Sequence, residues 1–211
     1  MPLFISFEGP DGSGKSTQAR LLAHALRRSG FSVLEIREPG GTPLGERVRS
    51  LLLDPASPPA SPLAMAFLVS ASRTELVTEV IQPALERGEI VITDRFADST
   101  IAYQTFGLGV PLGVSRELVR IATGGLSPNV VIYVDVPPQI GLERTAARGA
   151  GNRLDGETLA FHERVRQGYQ QLMCENPERW IAIDGSATVE TVHDRIYQSL
   201  EPFLPEVAKI R

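Results

Sequence analysis

Four groups of residues in this sequence could do chemistry together, and each stands just after a short apolar run. The first is Gly9-Pro10-Asp11-Gly12-Ser13-Gly14-Lys15-Ser16, followed by Thr17, and it fits G-x-x-x-x-G-K-[ST]. Its glycines let successive backbone N–H groups turn inward on phosphate oxygens, and a helix starting near Lys15 adds its positive end to the same spot. Lys15 can then reach the β- and γ-phosphates of ATP, and the Ser16 hydroxyl can ligate Mg²⁺. The second group is Asp94-Arg95-Phe96, a carboxylate suited to Mg²⁺ beside a guanidinium suited to a phosphate. The third is Glu38-Pro39-Gly40-Gly41-Thr42, and the fourth Asp184-Gly185-Ser186.

The elements between these groups must bring them to one place. Apolar runs predict strands at Leu3 to Phe7, Phe31 to Arg37, Glu89 to Thr93, Val130 to Val136 and Trp180 to Ile183. Helical patterns fill the intervals: Lys15 to Arg28, Thr42 to Leu53, Leu63 to Arg87, about Ser99 to Thr123 with a break at Gly107 to Gly113, Pro138 to about Arg148, Glu157 to Glu175, and Val189 to Leu200. Thr42 is expected to cap its helix with Pro43 at the first position, and Pro83 to kink or split the long helix before its last turn. Strands alternating with helices predict a three-layer α/β fold, a mainly parallel five-stranded sheet with helices on both faces. In such a sheet ligands sit at the carboxyl ends of the strands, where all four groups fall.

The totals bound what those groups can be doing. With 211 residues and 42% hydrophobic residues, the chain suits a single P-loop kinase domain over 1–211. Gly149 to Gly156 is rich in glycine, arginine and aspartate without apolar periodicity, and predicts a mobile lid at about 144–157 rather than a packed element. A net charge of -4 argues against nucleic acid or an anionic membrane as partner. No apolar run is long enough to span a bilayer, and the first residues run straight into the P-loop strand, so a reducing cytoplasm is the expected address. Cys174 is the only cysteine and is expected as a buried apolar filler. His24, His162 and His193 fall on helical patterns and are expected as surface or packing residues.

A phosphate cradle could serve a GTPase switch, a motor ATPase or a small-molecule kinase. A GTPase wants Asn-Lys-x-Asp to read guanine, and none is present. A motor wants an aliphatic run ending in paired acids, whereas Ile90 to Asp94 ends in one acid followed by arginine. That arginine suits a second anionic substrate better than a hydrolytic water. Arg37-Glu38-Pro39-Gly40-Gly41-Thr42, Asp94-Arg95-Phe96 and Ser99-Thr100-Ile101-Ala102-Tyr103-Gln104 together resemble the bacterial thymidylate kinases, and the order of segments does so over essentially the whole chain. The resemblance implies a nucleoside monophosphate kinase fold, transfer of the ATP γ-phosphoryl group to dTMP, Mg²⁺, and a homodimer. Another nucleoside or nucleoside-monophosphate kinase on the same scaffold, or a P-loop nucleotide-switched binding protein, remain the alternatives.

Residue by residue, the resemblance implies that Arg49 and Arg95 hold the acceptor phosphate, with Glu38, Pro39 and Ser99 lining the acceptor site. Asp11, inside the P-loop, would be repelled by triphosphate and is expected to face the acceptor sugar or its phosphate arginine. Packing near Tyr103 would favour deoxyribose. Arg73, Thr100 and Gln104 would read the thymine edge, and Gly185 and Ser186 would hold adenine largely through backbone. Catalysis would fall to Lys15, Arg95, Asp94 and the lid arginines Arg148 and Arg153, with Arg144 a weaker candidate on the ATP side. Two departures stand out. The aromatic that stacks on the base in this family is replaced by Val69, and Phe67, two residues earlier, lies about 200° around the helix. Gly12 stands where some members carry a catalytic arginine, which shifts the transition-state cation to the lid.

Overall fold

The structure, a computed structural model, describes residues 2–147, 149 and 153–204. In chain order it runs β1 (Leu3–Glu8), α1 (Lys15–Arg28), β2 (Val33–Arg37), α2 (Pro43–Leu53), α3 (Pro62–Leu76), a π turn (Val77–Ile81), α4 (Gln82–Glu86) and β3 (Ile90–Asp94). There follow α5 (Ala97–Thr100), a second π turn (Ile101–Gly107), α6 (Leu112–Thr123), β4 (Val130–Asp135), α7 (Pro138–Ala147), a 3₁₀ turn (Arg153–Gly156), α8 (Leu159–Glu175), β5 (Trp180–Asp184) and α9 (Val189–Leu200). The strands form one sheet in the order β2-β3-β1-β4-β5, with every neighbouring pair parallel. This is the three-layer α/β architecture that the alternation predicts.

β1 sits in the middle of the sheet and is buried along its whole length. Its period of two splits the strand between two layers. Leu3, Ile5 and Phe7 pack with Leu22 and Leu26 of α1 and Ile196 and Leu200 of α9. Phe4 faces the other layer, against Leu76, Ile81 and Phe96, and meets the Phe96 ring edge-on at 4.9 Å. Beyond it on the same face, Val131 and Tyr133 of β4 pack on Phe161, Val165, Tyr169 and Leu172 of α8. β1 and β3 run in register, Phe7 beside Asp94, so the P-loop and the Asp94-Arg95-Phe96 segment leave the sheet side by side.

Helix starts follow local chemistry. Thr42 caps α2 by accepting from Gly45 N at 3.0 Å, with Pro43 in the first turn, as the sequence predicts. Ser61, Thr158 and Thr188 cap α3, α8 and α9 in the same way. The long helix is interrupted before its last turn, as Pro83 predicts: the π turn Val77–Ile81 precedes Gln82–Glu86, so the proline's missing N–H falls just after the i→i−4 ladder has been broken. Two expectations need correction. Cys174 is exposed rather than buried, because the buried stripe of α8 is Phe161, Val165, Gly168, Tyr169 and Leu172, and position 174 falls off it. Within the expected lid, Arg153–Gly156 is not a free loop: Leu154 packs against a cluster of Val48, Leu52 and Met65.

Candidate active site

The P-loop follows β1 with Gly9, Gly12 and Gly14 at positive φ. At Gly12, φ is 75° and an added Cβ would overlap the carbonyl of Gly141 on α7; a Cβ on Gly141 would overlap the carbonyl of Asp11. Two backbones therefore touch where any side chain would separate them, which is a physical reason for glycine at position 12. Lys15 opens α1 and folds back to donate to the Pro10 carbonyl at 3.2 Å. Burial and the like charge of Arg95 lower its pKa.

At the end of β3, the Ser16 hydroxyl donates to Asp94 Oδ2 in a short contact, and Asp94 Oδ1 is buried with no hydrogen bond to any described residue. Two hard oxygens side by side at the mouth of a P-loop form a set that fits Mg²⁺. No group of three or more His, Cys, Asp or Glu among the described residues makes a further metal site.

Among the described residues, Arg95 is the non-glycine residue at positive φ, 72°. That turn aims its guanidinium back over the P-loop. One terminal nitrogen, Nη2, donates to Asp11 Oδ1 at 2.5 Å and to the Tyr103 hydroxyl at 2.8 Å. The other, Nη1, donates to the Gly9 carbonyl, the Ser99 hydroxyl and the Tyr169 hydroxyl at 3.0–3.1 Å. Tyr103 in turn donates to Asp11 Oδ2 at 2.8 Å, and the guanidinium carbon lies 4.6 Å from its ring centre. Burial works against charge on Asp11, yet Arg95 and Lys15 outweigh it and hold the carboxyl well below the usual range. Asp11 thus pairs with Arg95, the arginine expected to hold the acceptor phosphate, and lies 3.8 Å from the Lys15 ammonium.

Arg73 and Glu38 form a second anchored pair, with side chains only 1% and 2% exposed. Arg73 Nε and Nη2 donate to Glu38 Oε2 at 2.8 and 2.6 Å, Nη2 also to the Phe96 carbonyl at 3.0 Å, and Nη1 to Thr100 Oγ1 at 2.7 Å. A guanidinium has five N–H bonds, so these four contacts leave one Nη1 hydrogen for a ligand. Arg49 reaches the same region by donating to the Pro39 carbonyl at 3.0 Å.

These residues surround one cleft of about 500 Å³. Of the residues singled out in the sequence, Asp11, Gly12, Gly14, Lys15, Ser16, Thr17, Glu38, Pro39, Arg49, Val69, Arg73, Asp94, Arg95, Ser99, Thr100, Tyr103 and Gln104 line it. Phe67 points elsewhere and is 56% exposed, as the helical angle predicts, while Val69 faces the cleft. The rest stand apart from that wall. Gly9, Pro10 and Ser13 shape the loop behind it. Arg144 donates to the Gly185 carbonyl at 2.9 Å, and Ser186 N donates to Asp184 Oδ1, so these three brace the loop after β5 beside the P-loop. Arg153 donates to the Pro58 carbonyl at 3.1 Å, on the loop between α2 and α3, and is not among the residues lining the cleft. Arg148 lies outside the described residues.

Sequence reasoning missed the apolar wall of the cleft, made by Leu52, Leu53, Met65 and Leu154 around Val69. Position 52 is on the core side of α2 by helical period, but Leu154 sits in a segment without periodicity and carries no such signal. Glu8 and Tyr169 were missed as well, whereas His162 is a packing residue, one of the two roles its helical pattern predicts. His162 is 2% exposed, packs its ring edge-on against Phe161 at 5.1 Å, and lies close enough to Asp11 to help keep that carboxylate charged.

Comparison with known proteins agrees with this geometry. Residues 7–196 match the family described as thymidylate kinase. The thymidylate kinase of Thermomicrobium roseum is 49% identical over 201 residues, covering 95% of both chains, and that of Roseiflexus sp. (strain RS-1) is 45% identical over 222 residues, covering all of this chain and 98% of the relative. The crystal structure of thymidylate kinase from Ehrlichia chaffeensis superposes with a TM-score of 0.77 at 32% identity, over 95% of this chain and 99% of that one. With the family matched across most of the sequence and the fold shared nearly end to end, the chain belongs to the thymidylate kinase family.

Proposed function

We propose that this chain transfers the γ-phosphoryl group of ATP to dTMP, giving dTDP and ADP, and that the cleft divides the work between a donor and an acceptor side. The observation that carries this reading is the Asp11–Arg95–Tyr103 junction. It ties a P-loop carboxylate to an arginine at the end of the next strand and to a ring on the following helical segment. Two anionic nucleotides meeting end to end need a second cationic site beside the P-loop, and this junction supplies one.

On the donor side, the backbone N–H groups of Gly9 to Thr17 and the Lys15 ammonium take the ATP phosphates, and the loop braced by Arg144, Gly185 and Ser186 takes adenine. Ser16 and Asp94 would hold Mg²⁺, which would offset the negative charge of the phosphates. On the acceptor side, Arg95 and Arg49 take the dTMP phosphate. The Nε–H of Arg95 donates to no described residue and faces this role. Asp11 and Tyr103 meet the deoxyribose, and the close packing of the Tyr103 ring leaves little room for a 2′-hydroxyl. The remaining Nη1 hydrogen of Arg73, with Thr100 and Gln104, meets the thymine edge, while Glu38 fixes Arg73 and Ser99 fixes Arg95. Val69, Met65 and Leu154 supply apolar contact for the base in place of a stacked ring. Arg148 and Arg153 are assigned as transition-state charge donors; for Arg153 that means leaving the Pro58 carbonyl.

Leu44 and Leu51 on α2, Leu63 and Phe67 on α3 and Ile121 on α6 are large apolar side chains left exposed, on helices of which α3 packs against both others. Their cover is proposed to be a second copy of the chain. No helix among the described residues is long and apolar enough to cross a membrane, and we place the enzyme in the cytoplasm. The deciding experiment couples ADP release to a panel of acceptors. With ATP and Mg²⁺, dTMP should be turned over far faster than dCMP, dGMP or AMP. Equal turnover of another monophosphate would refute the acceptor assignment, and ATP hydrolysis indifferent to any acceptor would refute the kinase reading.

A further inference from the structure

Glu8 is the last residue of β1, one step before the P-loop, and is completely buried. None of the transfer chemistry above uses it. Its two oxygens are nevertheless fully engaged. Oε1 accepts from Phe96 N at 2.7 Å; Oε2 accepts from Ser99 Oγ at 2.6 Å and from the Tyr169 hydroxyl at 3.0 Å. Ser99 and Tyr169 are also the two hydroxyls that receive Arg95 Nη1, and they lie 2.8 Å from each other.

A proton inventory decides what this arrangement does. Each hydroxyl has one proton to give and lone pairs to offer. Arg95 can only donate, so Ser99 and Tyr169 can hold it only if their own protons point elsewhere. The carboxylate of Glu8 is the acceptor on the far side of both. We propose that Glu8 is a positioning residue for Arg95: by drawing the protons of Ser99 and Tyr169 to its side, one directly and the other directly or through its neighbouring hydroxyl, it leaves lone pairs of both oxygens for the guanidinium and fixes it at its positive-φ turn over Asp11. Its bond to Phe96 N pins the backbone residue next to Arg95, so the anchoring acts on main chain and side chain together. The charged neighbours do not replace it. Asp98 on α5 is occupied by a bidentate pair with Arg179 at 2.6 and 2.9 Å, and Lys15 is turned to the Pro10 carbonyl.

Glutamine cannot copy the role. An amide nitrogen in place of Oε1 would face the N–H of Phe96, donor against donor. In place of Oε2 it would donate to one of the hydroxyls, whose proton then has to turn toward Arg95.

The inference rests on the reading that Arg95 binds the acceptor phosphate, and the experiment separates the two. dTMP affinity and steady-state kinetics at pH 8 and saturating ATP would be measured for the parent chain, Glu8→Gln, Arg95→Ala and the double variant. Glu8→Gln should weaken dTMP binding and lower kcat/KM about 10- to 100-fold, the range for losing the support of a charge-assisted contact. In the Arg95→Ala background the same substitution should change dTMP affinity less than twofold. A role in folding alone would give the same factor in both backgrounds, and that result overturns the proposal. If Arg95→Ala itself leaves dTMP binding intact, the acceptor reading fails instead. Should Glu8→Gln not fold, Ser99→Ala and Tyr169→Phe remove the transmitting hydroxyls while keeping Glu8. Each should lose dTMP affinity severalfold in the parent and nothing beside Arg95→Ala; equal losses in both backgrounds refute the relay.

Discussion

Replacing Glu38 with leucine, a side chain of similar size, would leave the Arg73 charge buried with only the Thr100 hydroxyl and the Phe96 carbonyl as partners. Both members of the pair are almost fully excluded from solvent. Breaking a buried ion pair by removing one side costs about 3–5 kcal/mol, because the surviving charge is uncompensated. In a domain of this size about 2–4 °C of Tm goes with each kcal/mol, so Glu38→Leu should lower Tm by about 6–20 °C in a calorimetric scan. The double variant Glu38→Leu/Arg73→Met removes both charges and should recover to within about 2 kcal/mol of the parent. It should not recover function. With the charged donor to the thymine edge gone and only Thr100 and Gln104 left there, dTMP affinity should fall about 10- to 150-fold, the equivalent of one hydrogen bond from a charged group. Tm for Glu38→Leu within 2 °C of the parent would refute the energetic reasoning, and so would additive losses in the double variant. A double variant that binds dTMP normally would refute the assignment of Arg73 to the base.

Four further outcomes follow from particular contacts. Gly12→Ala, and equally an arginine there, should destabilise the chain by more than about 1 kcal/mol and abolish most ATP binding, because the new Cβ meets the Gly141 carbonyl at a φ of 75°; a stable, active Gly12→Ala enzyme would show that α7 yields freely. Arg153→Ala should lower kcat at least tenfold while changing the dTMP KM less than threefold; a kcat within twofold of the parent would leave Arg153 as no more than a strut on Pro58. Phe67→Glu should convert a dimer to a monomer in sedimentation velocity, and a parent chain that is monomeric at micromolar concentration removes the premise. Burial, reinforced by the Asp98 charge, raises Glu8 from 4.5 to about 7. Between those values the folded chain keeps a proton that the unfolded chain has lost, so this contribution to stability is present at low pH and is lost as pH rises through 7. Urea unfolding at pH 5 and pH 8 should therefore show the parent losing on the order of 2–3 kcal/mol relative to Glu8→Gln over that interval; parallel curves would contradict it.

The fold was legible because its signals are local and repeated. Five apolar runs separated by helical periods leave little freedom of architecture, and the single P-loop fixes which edge of the sheet carries function. The boundaries that shifted did so where tertiary packing overrides local preference. Phe31, read as strand, lies before β2 and packs on the core from the connection between α1 and β2. Pro83, read as a break, was preceded by a π turn that no propensity encodes. Cys174 was assigned by residue type, whereas its exposure follows from its angle on α8.

The site was legible one residue at a time but not as a network, and the reason is geometric. A motif names side chains whose chemistry acts on a ligand, so Lys15 and Ser16 are visible from their spacing, Arg95 from its place at a strand end, and Arg73 through the family resemblance. The residues that aim them are chosen for shape and proton inventory at one point in space, and their sequence neighbours say nothing about it. Tyr169 lies 74 positions from the arginine it supports and sits on the regular buried stripe of α8, where it reads as core. Glu8 precedes the P-loop on the face of β1 that carries Phe4, where the strand pattern calls for an apolar residue. A glutamate at that spot, before a loop already rich in polar groups, is easily taken as part of the loop. Yet a fully buried carboxylate survives only where donors converge on it. Three do so here, and two of them pass the constraint on to Arg95. The signal in the sequence was therefore an acid placed where burial should forbid it, and its meaning needed the coordinates of residues up to 161 positions away.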